Sequence, residues 1–310
     1  MIRGPLVKEM KNPYSPVRRF FDERFTAGLH AVQHRYRQDV PPLAVAPAPY
    51  GTNPATLDAA AHWLLRFLLD AQPDLSPAVF GAIACTPAAL DALPALATIA
   101  HRLGTQLPQP GGPVHTFTGP TAATTVDPIL LARGCWVLAL LSEVYRGGLV
   151  ALIDSPLGQF MRSTPTANNL LQLAPPAALD QLADLREVFE TTLIPRLAHR
   201  KGPWALGPNL IGSRLLNADA DVIAAGLLLD AKTSATSPSL AVADLFQIIG
   251  YALLDVHDAF RLDSVAVFNA RYNHLATWHL ETLLAELSGG AVEIPTLREQ
   301  FRALQLSPGL

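Results

Sequence analysis

From Thr56 onward the apolar positions Leu57, Ala60, Ala61, Leu64, Leu65, Phe67 and Leu68 recur near helical spacing, which predicts a buried helix over residues 56–71. Further helices are predicted at 87–103 and 128–146. Between them Gly104 to Val126 is rich in Gly, Pro and Thr without periodicity, and reads as a long surface loop. A stripe of Leu179, Leu182, Leu185, Val188, Phe189, Leu193 and Leu197 predicts a helix over Ala177 to His199, its end kinked or shortened by Pro195. From Gly212 onward the period changes. Alternating and β-branched residues around Val222-Ile223, Leu227 to Leu229 and Val265 to Phe268 stand beside turn formers and predict strands. A helix from Ala241 to Leu254 separates them, and Leu275 to Leu280 adds one more strand.

The pattern therefore implies a mixed α/β C-terminal half behind a mostly helical N-terminal half, without an internal repeat. Proline marks the joints: five of the 27 lie between Pro41 and Pro54, with Gly51 and Asn53, as an extended linker. Three segments result. Residues 1–55 form an arm and linker, 56–175 a mostly helical region, and 176–310 a mixed α/β core with C-terminal helices.

Composition narrows the classes. Half of the 310 residues are apolar and 16% are charged, so the chain buries a sizeable core and is not a disordered polymer. Two cysteines, Cys85 and Cys135, build no disulfide framework and fall in no zinc spacing. The apolar run Ile129 to Leu141 is interrupted by Arg133 and is shorter than the roughly 20 residues that span a bilayer, so no membrane segment is expected. Met1 to Lys11 has no apolar h-region, which makes the cytoplasm the default location. The net charge of −3 is unevenly spread. Residues 1–37 carry eight basic side chains against three acidic ones, a net of +5, which leaves −8 for the remainder. A basic arm on an acidic body permits local contact with phosphates, through Arg18, Arg19, Arg35 and Arg37 among others.

Candidate chemistry is concentrated between Asn217 and Lys232. If Ala225 and Gly226 form a two-residue turn, every paired position sums to 451, Asp221 faces Asp230 and Asp219 faces Lys232. Side chains alternate with period two, so all four polar groups project from one face and Val222 and Leu229 from the other. Carboxylates this close repel one another unless a cation neutralises them, and oxygen ligands suit Mg²⁺ or Mn²⁺. A lysine beside such an ion can orient or deprotonate a water that attacks phosphorus. Asp154, Asp244, Asp255 and Asp258 have ordinary cap or surface explanations.

This arrangement resembles the PD-(D/E)xK nuclease superfamily, with Asp230-Ala231-Lys232 as its most diagnostic element and Asp221 as the upstream metal-binding Asp. Asp219, one pleat away, competes for that assignment. Gln247-Ile-Ile-Gly-Tyr251 resembles the Gln-x-x-x-Tyr motif of the RecB-like branch, which includes the CRISPR-associated exonucleases, and its i,i+4 spacing puts both residues on one helix face. The resemblance spans roughly residues 177–280. It implies a restriction-endonuclease-like core, a central mixed sheet flanked by helices, and an Mg²⁺- or Mn²⁺-dependent (exo)deoxyribonuclease. Asp221, Asp230 and Lys232 would be catalytic, with Gln247 and Tyr251 organising the site. An acidic residue from the preceding helix, Glu187 or Glu190, and His199 would join the metal ligands. DNA is the implied partner ahead of RNA, a helicase partner would supply any unwinding, and repair, recombination and defence follow equally. The alternative is a nucleic-acid-binding or scaffold protein that keeps the fold without chemistry.

Overall fold

The computed structural model describes residues 6–85, 92–108, 117–121, 124–160, 163–208, 210, 220–233 and 237–306. Among them the chain is mostly helical, with a five-stranded mixed sheet in its C-terminal half. The helices run α1 (Leu6–Lys11), α2 (Pro16–Arg24), α3 (Leu29–Asp39), α4 (Pro54–Leu69), α5 (Ser76–Cys85), α6 (Leu93–Arg102), α7 (Pro128–Asp154), α8 (Ala167–Leu171), α9 (Pro176–Val188) and α10 (Ile194–Leu197). Strands β1 (Trp204–Leu206), β2 (Val222–Ala224) and β3 (Leu227–Lys232) follow. Then come α11 (Val242–Leu254), β4 (Ser264–Asn269), β5 (His274–His279), α12 (Leu280–Ser288) and α13 (Ile294–Leu306).

Two compact units divide the chain. The first gathers Met1–Ala44, Arg200–Lys232 and Ser237–Leu310, and the second Val45–His199 with Thr233–Thr236. These bounds differ from the divisions after residues 55 and 175 that the sequence pattern suggests. The physical reason lies in α1, α2 and α3, whose apolar faces build the segment read as a basic arm into the first unit.

In that unit Ser15 caps α2 by accepting from the Val17 N–H, and Pro16 occupies the first turn, where its missing N–H costs nothing. Val17, Phe20 and Phe21 then fall on one buried face. The Phe21 ring lies 5.3 Å from Phe246 of α11 and 5.5 Å from Phe301 of α13, measured between centroids. Helix α1 also packs against α11. A Cβ at Gly250 would stand 3.0 Å from Leu6 and 3.1 Å from Met10, so a glycine there sets the approach.

The sheet runs in the order β1-β2-β3-β4-β5 and is antiparallel throughout except between β3 and β4. Parallel neighbours cannot be joined by a tight turn, and α11 supplies the crossover. One sheet face carries Ile223, Leu228, Val265 and Val267 into a core shared with Ile248, Ile249 and Leu253 of α11. The three residues of β1 leave too short a pattern to be seen in the sequence.

In the second unit α4 begins at Pro54, two residues before the predicted start, behind Asn53, whose side chain accepts from the Ala55 N–H. Helices α5 and α7 touch backbone to backbone at Gly81, where a Cβ would lie 1.8 Å from the Leu141 carbonyl oxygen. Helix α7 extends to Asp154, beyond the predicted 146, across a non-helical Gly148 at φ 64°. By length and composition alone α7 is long and apolar enough to cross a membrane, unlike the shorter run considered above, yet half of its most apolar window is buried inside the protein. Ahead of Pro195 the predicted kink takes the form of a π turn over Phe189–Leu193. Proline cannot donate to the carbonyl four residues back, and the wider turn makes room for its ring.

Candidate active site

The hairpin closes at Ala225 and Gly226, with φ of 47° and 85°, the two positive values that a type I′ turn requires. Its register pairs Val222 with Leu229, Ile223 with Leu228 and Ala224 with Leu227, all summing to 451, and the same count sets Asp221 opposite Asp230. Strand β2 starts only at Val222, and the Ala231 N–H beyond its end donates to Asp221 Oδ2 at 2.7 Å. The Asp221 carboxylate thus completes a ladder that the backbone no longer continues. Both carboxylates are buried, Asp221 to 8% and Asp230 to 4% exposure.

Helix α11 crosses the face from which these groups project and adds two polar side chains to an otherwise apolar contact. Lys232 Nζ reaches Asp230 Oδ2 at 2.8 Å and donates to Gln247 Oε1 at 2.9 Å. Gln247 Nε2 donates to the Tyr251 hydroxyl at 2.6 Å and lies 3.5 Å from Asp230 Oδ1. The i,i+4 spacing of Gln247 and Tyr251 aims both at the strand that carries Asp230 and Lys232. Burial alone would lower the Lys232 pKa, but the charges of Asp230 and Asp244 outweigh it and hold the ammonium above its ordinary range. Burial first, and the Asp230 carboxylate second, push the Tyr251 phenol up, so it stays neutral.

Three residues passed over in the sequence belong to this neighbourhood. Asp244, with an ordinary explanation by position alone, places Oδ1 3.2 Å from Lys232 Nζ. It precedes Gln247 by three residues, so the two share a helix face. Asn269 is the β4 neighbour of Lys232 and is buried, and the hydroxyl of Tyr36 on α3 bonds to its side chain. Tyr36 is pushed up chiefly by burial, with the Asn269 bond pulling the other way.

Asp219 lies outside the described residues. Glu187, Glu190 and His199 belong to the second unit and are exposed. Glu190 accepts from Arg186 Nε at 2.8 Å, and both glutamates border an apolar pocket of about 210 Å³ lined by Leu64, Leu179 and Leu182. Among the described residues no group of three or more His, Cys, Asp or Glu side chains is placed to hold a metal ion.

The basic segment is only partly available to a phosphate backbone. Arg18 is bound to both oxygens of Asp22 and to the Met10 carbonyl, and lies over the Phe246 ring. Arg35 pairs with Glu286, and Arg24 lies over Phe20. Lys8, Lys11, Arg19 and Arg37 are exposed. Comparison of the chain with protein-family models, with curated proteins and with solved structures finds no match.

Proposed function

We propose that the first unit is a PD-(D/E)xK-type nuclease core of RecB-like character, which hydrolyses phosphodiester bonds of DNA with Mg²⁺ or Mn²⁺. The observation that carries this reading is the continuous network from Asp230 through Lys232 and Gln247 to Tyr251, with the Asp221 carboxylate beside it on the Ala231 N–H. Its supporting order is hairpin, helix and parallel strand: β2–β3, α11 and β4.

The residues present fit a divalent cation. Mg²⁺ is commonly held by one or two carboxylates together with waters and substrate phosphate oxygens. Asp221 and Asp230 are two such carboxylates, and Asp230 already accepts a cation, the Lys232 ammonium. A bound divalent ion would polarise the phosphate and lower the pKa of an attacking water.

The protein's own groups have separable tasks. Asp221 and Asp230 would hold the ion. Lys232, bonded to Gln247 Oε1 and paired with Asp230, orients the water or compensates charge that develops on phosphate. Gln247 fixes Lys232 through its Oε1 and is itself fixed by Tyr251 through its Nε2. The test is incubation of the purified chain with linear and circular, single- and double-stranded DNA, with and without Mg²⁺ or Mn²⁺. Metal-dependent cleavage lost in both Asp230→Ala and Lys232→Ala is expected. DNA binding without cleavage on any form would instead make this unit a non-catalytic binding module.

A further inference from the structure

The Lys232 ammonium meets three groups: it donates to Gln247 Oε1 at 2.9 Å and forms ion pairs with Asp230 Oδ2 at 2.8 Å and Asp244 Oδ1 at 3.2 Å. Only one of the three is neutral. The two carboxylates differ in setting: the Asp230 side chain is 5% exposed and the Asp244 side chain 31%. Asp230 is thus the inner anion, shared with the candidate metal position, and Asp244 is the outer one. Asp244 lies in the first turn of α11, where the helix dipole favours a carboxylate, and from there it also reaches the Lys232 ammonium.

A divalent ion and an ammonium compete for Asp230. Together Asp221, Asp230 and Asp244 carry three negative charges against the single positive charge of Lys232, leaving −2, the complement of one divalent cation. When such an ion occupies Asp230, the lysine keeps Gln247 and needs one remaining anion, and Asp244 is already within reach.

We propose that Asp244 is a positioning residue that receives the Lys232 ammonium when a divalent cation takes its place on Asp230. Gln247 serves as the fixed partner about which the lysine turns. This rests on the metal-binding reading given above and adds to it a route by which the site empties itself of its own cation without burying an unpaired lysine. Asp244 acts on the ion through Lys232, not as a ligand.

The test is Mn²⁺ binding without DNA, followed by calorimetry or by the paramagnetic resonance signal of free Mn²⁺. It compares wild type, Asp244→Asn, Lys232→Met and the double variant, with Asp244→Glu as the conservative control. Asp244→Asn should weaken Mn²⁺ binding about ten-fold, or about 1.4 kcal/mol, and Asp244→Glu should restore it. In the Lys232→Met background, Asp244→Asn should change affinity less than about two-fold, because the lysine it serves is gone. An equal loss in both backgrounds would make Asp244 act on the ion directly and overturn the proposal. No loss in either would return it to a surface role. Should Lys232→Met fail to fold, a crystal structure of the Mn²⁺-loaded wild type decides alone. Lys232 Nζ bonded to Asp244 and withdrawn from Asp230 supports the proposal, and Nζ still on Asp230 with Mn²⁺ present refutes it. Absence of Mn²⁺ binding by the wild type would remove the metal reading and this proposal with it, an outcome distinct from binding that ignores Asp244.

Discussion

Replacing Lys232 by Met keeps most of the side-chain volume and removes the ammonium, which isolates the charge contribution in the first unit. At the observed 2.8 Å and an effective dielectric constant of about 20, the attraction to Asp230 is on the order of 6 kcal/mol before desolvation is subtracted. Removing one member of a buried pair typically costs about 3–5 kcal/mol, because the other charge stays behind. Asp230 is left almost fully buried, but Lys232 retains 21% side-chain exposure and water enters more readily, so the lower end, about 3 kcal/mol, applies. The double variant Asp230→Asn, Lys232→Met removes the buried carboxylate along with its partner and should be more stable than the single one. Urea unfolding in chelator, read by hydrogen exchange of peptides spanning Val222 to Lys232, measures the first unit separately from the second. Mn²⁺ at about 100 times its Kd should return about 2.7 kcal/mol to Lys232→Met, since a cation again faces Asp230. A single-variant cost below about 1 kcal/mol, or a double variant as unstable as the single, would refute the claim that Asp230 is a buried charge held by its lysine.

Alkaline pH should destabilise the same unit. Tyr251 is raised above 10.0 by burial, and Lys232 is held above 10.5 by its carboxylates against a burial effect of opposite sign. Both groups keep their protons when folded and lose them when unfolded, so stability is flat below about pH 10 and falls as the pH rises beyond it. Urea midpoints from pH 7 to 11 check this, Tyr251→Phe should flatten the decline, and a rise across that range would contradict the assignment. Gly81→Ala should destabilise the second unit by about 1–3 kcal/mol, since its methyl meets the Leu141 carbonyl and not a yielding side chain. A wild-type melting curve would mean that α5 and α7 separate freely. Ala225→Gly should stabilise the hairpin by about 0.5–1 kcal/mol by relieving an alanine at φ 47°, and a lower urea midpoint for this variant would show that the turn bears no such strain.

What the sequence determined by itself is what depends on near neighbours along the chain. The 225–226 turn admits one short hairpin, its register follows by counting, and the period of two assigns Asp221, Asp230 and Lys232 to one face. Gln247 and Tyr251 share a helix face for the same local reason. Tertiary structure alone decided which surfaces meet. The crossing of α11 over β3 brings Asp244 to Lys232, a contact that no spacing within a single element encodes. Phe20, Phe21 and Tyr36 look like apolar interruptions of a basic arm until α11, α13 and β4 are in place to receive them. The assignment of Glu187, Glu190 and His199 to the second unit is likewise a tertiary outcome, since position along a helix cannot specify what stands opposite it.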